Sequence, residues 1–449
     1  MFEEGIDVCR LNFSHGSHED HLRSIKMINK LNEKYHSSVA ILADLQGPKL
    51  RIGEIENNGV ELVNGSEFSF VTEPCTGNNE KAYMSYQQLA HDVRPGETIL
   101  VDDGKIKLEV IETNGTDTVR MKVISGGILS SRKGVNLPDT KVSLPSLTEK
   151  DKKDAIFALQ HGADWIALSF VRNVTDILEL KEIIKGSKQP AAKVIAKIEK
   201  PEALADIDQI IDMTDGIMVA RGDLGVEVPF DQVPLIQKDI VRRCIAKARP
   251  VIIATQMMES MITNFRPTRA EVNDVANAVL DGADAVMLSG ETSVGKYPVE
   301  VVQSMQRIID WTEKGYKFYR HNPPREFSRT YLSDSICYNA CKMAEQTSAR
   351  AIITFTHSGY TAFQISSHRP CAQIFAFTDN KRILPKMSLL WGVRSFYAVE
   401  FSNIDDYIDY SINRLLEMKL IREEDVVIHV GSTPILERGR TNMIKLSYV

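Results

Sequence analysis

Seven short runs of almost unbroken apolar residues constrain this chain more than any other feature. They are Ile6–Leu11, Val39–Asp44, Ala163–Leu168, Lys193–Ile198, Asp215–Ala220, Pro250–Thr255 and Ala283–Leu288, several entered through Gly-Ala-Asp or a similar turn. Alternating polarity would mark strands with one wet face. Continuous apolarity marks strands covered on both faces, which belong in a parallel sheet. Helical patterns separate most of them, among them Asp176–Ile184, Val233–Ala248 and Thr268–Leu280. The last opens on a capping box, Thr268 with Glu271, just after the chain-breaking Pro267. Repeated strand–helix units predict an α/β fold, a TIM (β/α)8 barrel. Such a barrel closes with eight strands, one more than the runs counted here. Met1–Glu4 reads as the last turn of a helix ending at Gly5. The expectation is a barrel whose first strand is absent, with two open strand edges and lowered stability and activity.

Between the second and third runs the pattern changes. Asn58-Gly59, Asn64-Gly65, Asp103-Gly104 and Asn114-Gly115 are favoured hairpin turns, and Ile106–Val110 alternates as a half-exposed strand does. The segment predicts a small β-barrel domain inserted in a barrel loop. A second break falls at Asn322-Pro323-Pro324-Arg325, after Trp311–His321. Beyond it, strands are expected at Ala351–Phe355, Gln373–Phe377, Val393–Val399 and Asp425–Val430, making a C-terminal α/β unit. The expected division is 1–51 and 138–324 for the barrel, 52–137 for the insertion and 325–449 for the last unit.

Charge and composition narrow the function. The 449 residues carry 54 Lys+Arg against 60 Asp+Glu, a net charge of −6, which leaves no basic surface for neutralising many phosphates of a nucleic acid. No apolar run approaches the ~20 residues of a membrane helix. The acidic start lacks the regions of a signal peptide, and six scattered cysteines without a C-x-x-C pair fit reduced thiols in the cytoplasm.

Barrel enzymes place reacting groups at the C-terminal ends of their strands. Here those ends read Arg10-Leu11-Asn12-Phe13-Ser14-His15, Asp44, Ser169-Phe170, Lys197-Ile198-Glu199, Arg221-Gly222-Asp223, Thr255-Gln256 and Ser289-Gly290-Glu291. Charged groups recur there too often for incidental surface pairs. Lys197 and Glu199, two apart on a strand, face the same way. Glu199 with Asp223 would make the sparse carboxylate set that holds Mg2+ alongside waters and substrate oxygens. Lys197 and Arg10 supply fixed positive charge for an anionic, phosphorylated substrate. Gly222 allows close approach to a ligand, and Leu224-Gly225 leads into a short helical turn.

Other patterns carry less. Gly290–Tyr297 nearly matches a P-loop, but Tyr297 replaces the hydroxyl residue that would hold Mg2+. His15, His18 and His21 suggest a metal site, yet Ser17 and Asp20 read as a helix cap. Cys337 and Cys341, one helical turn apart, read as core. Thr356-His357-Ser358-Gly359-Tyr360-Thr361 offers hydroxyls and backbone N–H groups before a helix, equally a phosphate cradle or an ordinary capped turn.

Longer stretches resemble the pyruvate kinase family: Arg10–Gly16 (RLNFSHG), Lys133–Pro138 (KGVNLP), Lys197–Glu199 (KIE), Asp215–Gly225 (DGIMVARGDLG), Ala254–Met261 (ATQMMESM) and Pro267–Pro298. The resemblance implies Mg2+-dependent transfer of a phosphoryl group from phosphoenolpyruvate to ADP, giving pyruvate and ATP. It implies that Lys197 stabilises the moving group, that Glu199 and Asp223 hold Mg2+, and that Gly222, Asp223 and Thr255 bind the substrate carboxylate. Thr255 would also lie near the route of the proton to the enolate. By the same resemblance Arg10 binds substrate, and Asn12, Phe13, Ser14, His15, Arg51 and Lys133 lie on the nucleotide side. The insertion becomes a lid, the 356–361 loop a sugar-phosphate or nucleotide effector site, and the assembly a homotetramer. Many members hold K+ with residues matching Asn12, Ser14, Asp44 and the Leu45 carbonyl, and have an acid where Lys49 stands. The Lys49 ammonium is expected to replace that ion, as in K+-independent members. Competing readings are a Mg2+-dependent barrel aldolase or lyase, which would lack the lid and C-terminal unit, and a non-catalytic sugar-phosphate binder.

Overall fold

The computed structural model describes residues 1–187, 191–316, 323–324, 328–399, 401–435 and 439–449. Seven parallel strands form one sheet in chain order: β1 (Val8–Asn12), β2 (Ala40–Asp44), β3 (Trp165–Leu168), β4 (Lys193–Ile198), β5 (Gly216–Ala220), β6 (Val251–Ala254) and β7 (Ala285–Val286). β1 and β7 are its edges. Six strands lie within the runs that predict them, and β1 runs one residue past its own, to Asn12. β7 is the shortest, and Ala283 and Leu288 fall outside it. Phe2–Glu4 is a single helical turn closed by Gly5 in the left-handed region, φ +88°. The intervening helices include Val174–Lys185, Val233–Ala246 and Arg269–Asp281, the last with its Thr268–Glu271 capping box formed.

Because side chains alternate along a strand, each buried run splits between two cores. Ile41, Ala43, Ile166, Leu168, Val194, Ala196, Ile217, Val219 and Ile253 pack outward against the helices. Ala40, Leu42, Trp165, Ala167, Ile195, Met218, Ile252 and Ala254 pack inward on one another. Continuing the inward register toward the C-terminal rim places Arg10, Asp44, Ser169, Lys197 and Glu199 on the interior side. The rim turns polar where the strands end.

The insertion has a separate apolar core, from Leu50 to Leu137. Its six-stranded sheet runs in the order Val135–Asn136, Thr98–Val101, Ile106–Thr113, Thr118–Ser125, Glu67–Val71 and Lys81–Tyr83. The Asp103-Gly104 turn takes positive φ at both residues, +56° and +84°, as a tight hairpin of this hand requires. The last unit holds β8 (Ala351–Phe355), β9 (Gln373–Thr378), β10 (Val393–Tyr397), β11 (Val426–Gly431) and β12 (Met443–Tyr448). Its order is β10-β9-β8-β11-β12, with β12 antiparallel on the edge. It meets the barrel through Arg369, whose guanidinium bonds the Gly282 carbonyl at 2.8 Å and Asp284 at 2.9 Å. The break at 322–325 lies partly outside the described residues. The helix before it runs Pro298–Gly315.

Candidate active site

Three strand ends converge on one ammonium. Lys197 Nζ lies 2.7 Å from Ser169 Oγ, 2.9 Å from Glu199 Oε1 and 3.2 Å from Asp44 Oδ1. Burial opposes the lysine's charge, but Asp44 and Glu199 outweigh it and hold its pKa above the ordinary value. Arg10, across from β2, grips Asp44 Oδ2 through Nε at 2.7 Å and Nη2 at 2.5 Å. Burial likewise works against the Asp44 charge, yet Lys197 and Arg10 keep that carboxyl below the usual range. Two cations and two carboxylates are thus fixed in place at the sheet's C-terminal rim, where solvent does not reorganise around them.

Glu199 Oε2 accepts from the Phe170 N–H at 2.8 Å, a bond that holds Phe170 at φ +55°. Burial raises the Glu199 carboxyl; Lys197 opposes that shift and the nearby negative charge of Asp223 adds to it. A hard dication shared by the two carboxylates would relieve this repulsion, so the donor set fits Mg2+.

Asp223 stands in the first turn of the short helix Arg221–Glu227, directly after β5. The Gly222 N–H donates to Thr255 Oγ1 at 2.7 Å, and a Cβ added at Gly222 would lie 3.2 Å from that oxygen. Thr255 has φ +70°, a strained conformation for a β-branched residue. Arg221 holds it there: Nη2 bonds the Thr255 carbonyl at 2.8 Å while Nη1 pairs with Asp274 at 2.7 Å.

Between this rim and the insertion lies an open cleft. Lys49, Phe170, Lys200, Asp223 and Glu227 line its barrel side, and Asp103, Gly134 and Asn136 its lid side. Arg51 and Lys133 sit together beside that wall, through the Arg51–Gly134 bridge. Their side chains stay on the lid: Arg51 donates to the Arg132 carbonyl at 3.0 Å and Lys133 pairs with Asp102 at 2.9 Å.

Phe13 is the buried member of its motif. Its ring is 2% exposed, stacked on His21 at 4.1 Å, and its carbonyl takes the Lys150 ammonium at 2.7 Å. The side chain is core, because it points into the helix layer that the β1 end abuts. Asn12 Oδ1 accepts the Ser14 N–H at 3.1 Å, and His15 is exposed nearby. His18 pairs with Asp154, and no three-residue metal cluster of His, Cys, Asp or Glu occurs among the described residues. Glu291 accepts the N–H groups of Met258 and Ser289, so it braces a loop away from the cleft.

In the 356–361 loop the hydroxyls divide. Thr356 Oγ1 accepts the Gly359 N–H at 3.0 Å, and buried Thr361 bonds Thr441 at 2.8 Å. The Tyr360 hydroxyl bonds Asp334, His357 pairs with Asp379 at 2.7 Å, and Ser358 is exposed.

Sequence reasoning assigned no role to Ser169, Lys200, Glu227 or Asn136. Ser169 was within reach, two positions beyond inward-facing Ala167. No spacing rule joins Asn136 of the insertion to Glu227.

Comparison with known proteins bears on the family. Residues 1–302 match the family model described as pyruvate kinase, barrel domain, and residues 334–447 that of pyruvate kinase, alpha/beta domain. A pyruvate kinase of Geobacillus stearothermophilus is 41% identical over all of this chain and 77% of its own length. One from Corynebacterium glutamicum is 43% identical over 99% of this chain and 92% of its own. The crystal structure of a pyruvate kinase from Cryptosporidium parvum superposes with a TM-score of 0.93 at 35% identity, covering 100% of this chain and 92% of that one. Its two matched domains and its full-length relatives show that the chain belongs to the pyruvate kinase family.

Proposed function

We propose that the Lys197–Glu199–Asp223 rim carries out the reaction of this family in this chain: transfer of a phosphoryl group from phosphoenolpyruvate to ADP. The observation that carries the assignment is the buried Lys197 ammonium, held charged between two carboxylates beside a third. As the group moves, negative charge spreads over its equatorial oxygens, so catalysis rests on positioning and fixed cations. Lys197 and Arg10 provide those cations without reorienting. Glu199 and Asp223 would hold Mg2+, which neutralises phosphate charge when bound. A substrate carboxylate reaching Gly222 must compete with Thr255 Oγ1 for the Gly222 N–H. In this reading Thr255 lies beside the substrate carboxylate and near the route of the proton to the enolate. Phosphoenolpyruvate, ADP and Mg2+ should yield equal amounts of pyruvate and ATP, and chelation should stop both; aldol cleavage instead would favour the lyase reading.

Several finer assignments belong to the same reading. Independence from K+ is supported by the prior engagement of the expected ligands: Asp44 by Arg10 and Lys197, the Leu45 carbonyl by the Ser169 hydroxyl at 2.7 Å, and Asn12 by the Ser14 N–H. Exposed Lys49 lines the cleft. Activity should be unchanged when K+ is replaced by tetramethylammonium; a strong K+ requirement would refute the role of Lys49. The units 1–51 with 138–324, 52–137 and 325–449 are supported by apolar clusters drawn mainly from each, with Leu50 packed in the insertion's cluster and Leu389 in the inner cluster of the barrel. The nucleotide side is assigned to Asn12, Phe13, Ser14, His15, Arg51 and Lys133, Phe13 through its backbone because its ring is buried. A sugar-phosphate or nucleotide effector at 356–361 would meet Ser358 and His357 first. A homotetramer and a cytoplasmic location belong to the same reading; exposed Phe230 and Leu235 fit a contact between copies, and free cysteines fit a reducing compartment.

A further inference from the structure

The lid touches the rim at a buried carboxylate that the reaction itself does not use. Glu227 ends the helix that begins at Arg221 and carries Gly222 and Asp223. Its Oε1 accepts from Asn136 Nδ2 at 2.7 Å and from Lys200 Nζ at 2.6 Å. The residue is 4% exposed, and its Oε2 has no hydrogen-bond partner among the described residues. Lys200 directly follows Glu199. Asn136 lies in the strand Val135–Asn136, paired with Thr98–Val101 of the insertion. The same lid segment is stitched to the Arg51 segment: Ile52 N–H bonds the Lys133 carbonyl, and Val135 N–H bonds the Leu50 carbonyl, both at 3.0 Å.

We infer that Asn136, Glu227 and Lys200 form a clasp that fixes the lid over the cleft, Glu227 acting as a positioning residue for the nucleotide half of the transfer. One carboxylate oxygen ties together the β4 end carrying Glu199, the helix carrying Asp223 and the lid segment carrying Lys133, to which the Arg51 segment is bonded. Displacing Asn136 carries Lys133 and Arg51 with it, through the backbone bonds just named. The clasp therefore sets the distance between the nucleotide-side cations and the carboxylates that receive Mg2+. An amide on a buried carboxylate suits a contact that must break when the lid opens, because Asn136 leaves as a neutral group. Lys200 remains to neutralise Glu227, so opening strands no unpaired charge.

This inference rests on the phosphoryl-transfer reading for its kinetic arm only. Asn136→Ala should raise the KM for ADP about tenfold and leave the KM for phosphoenolpyruvate within twofold. Hydrogen exchange at the Arg51, Ile52 and Val135 amides should quicken at least tenfold in the same variant, without substrates. Glu227→Gln, which keeps an acceptor for Asn136, should retain more of the wild-type exchange protection than Glu227→Ala. Unchanged exchange with an unchanged KM for ADP would overturn the clasp. A fall in kcat alone, with both KM values and the exchange unaltered, would overturn it too by showing a purely structural role. A wild-type protein that makes no ATP would refute the function, and the exchange arm would still decide the clasp.

Discussion

Asp44→Asn removes one charge and almost no volume, from a site where two cations lean on it. The wild-type carboxylate is 1% exposed, 2.5 Å from Arg10 Nη2 and 3.2 Å from Lys197 Nζ. At an effective dielectric of about 20, a pair 3.2 Å apart is worth about 5 kcal/mol before desolvation. Deleting one partner of a buried pair typically costs about 3–5 kcal/mol, and here two cations are left with Glu199 alone. We expect a loss in that range, read by urea unfolding together with hydrogen exchange at the Ile41–Ala43 amides. Exchange matters because a chain with several cores need not unfold in one step. Arg10→Met added to Asp44→Asn should recover part of the loss, since it removes a stranded cation. The pH dependence has a definite sign. A carboxyl held below its ordinary value of 3.8 adds stability that is complete above that pH and fades as pH falls below it. The gap between wild type and variant should close only in that acidic range. A loss below about 1 kcal/mol, or full additivity with Arg10→Met, would refute the picture of Asp44 as the joint between the two cations.

Further outcomes follow from other contacts. Gly222→Ala should fold normally, because the helix tolerates alanine. Its Cβ crowds Thr255 Oγ1 at 3.2 Å, so the KM for phosphoenolpyruvate should rise at least tenfold while that for ADP stays within twofold; equal rises would place Gly222 elsewhere in the site. Lys386 is buried among Asp164, Lys193, Arg382 and Asp215, and burial lowers its pKa from 10.5 to about 8. The folded state therefore pays for this charge below about pH 8 and is relieved as pH rises toward 10.5. Lys386→Met should melt higher than wild type at pH 7, with the difference shrinking above pH 8; a constant difference would contradict the burial argument.

The strands were legible because burial on both faces leaves no ambiguity of period, and Lys193–Ile198 is recovered to the residue. β12 was not: in Met443–Tyr448 the apolar Ile444, Leu446 and Tyr448 alternate with Lys445 and Ser447, but on this edge strand Leu446 and Tyr448 are exposed, so the pattern does not mark a core face. In the site, period-two geometry brought Lys197 beside Glu199 from their spacing alone. The Arg10–Asp44 pair could not be read that way, because it depends on β1 and β2 being neighbours in register, Asn12 opposite Asp44. At Phe13 a motif fixes where the backbone passes, whereas packing decides where the ring points, here onto His21. Glu227 was invisible for a related reason: its partner Asn136 is 91 residues away, in another core.

The most direct test is turnover of phosphoenolpyruvate and ADP by Lys197→Met, with saturating Mg2+. Methionine keeps the side chain out to Cε and removes the ammonium between Asp44 and Glu199. Loss of a fixed transition-state donor costs roughly 100- to 1000-fold in kcat, and at least that is expected, with both substrates still bound. A variant that makes ATP within tenfold of the wild-type rate would contradict the claim that this lysine steadies the phosphoryl group in flight.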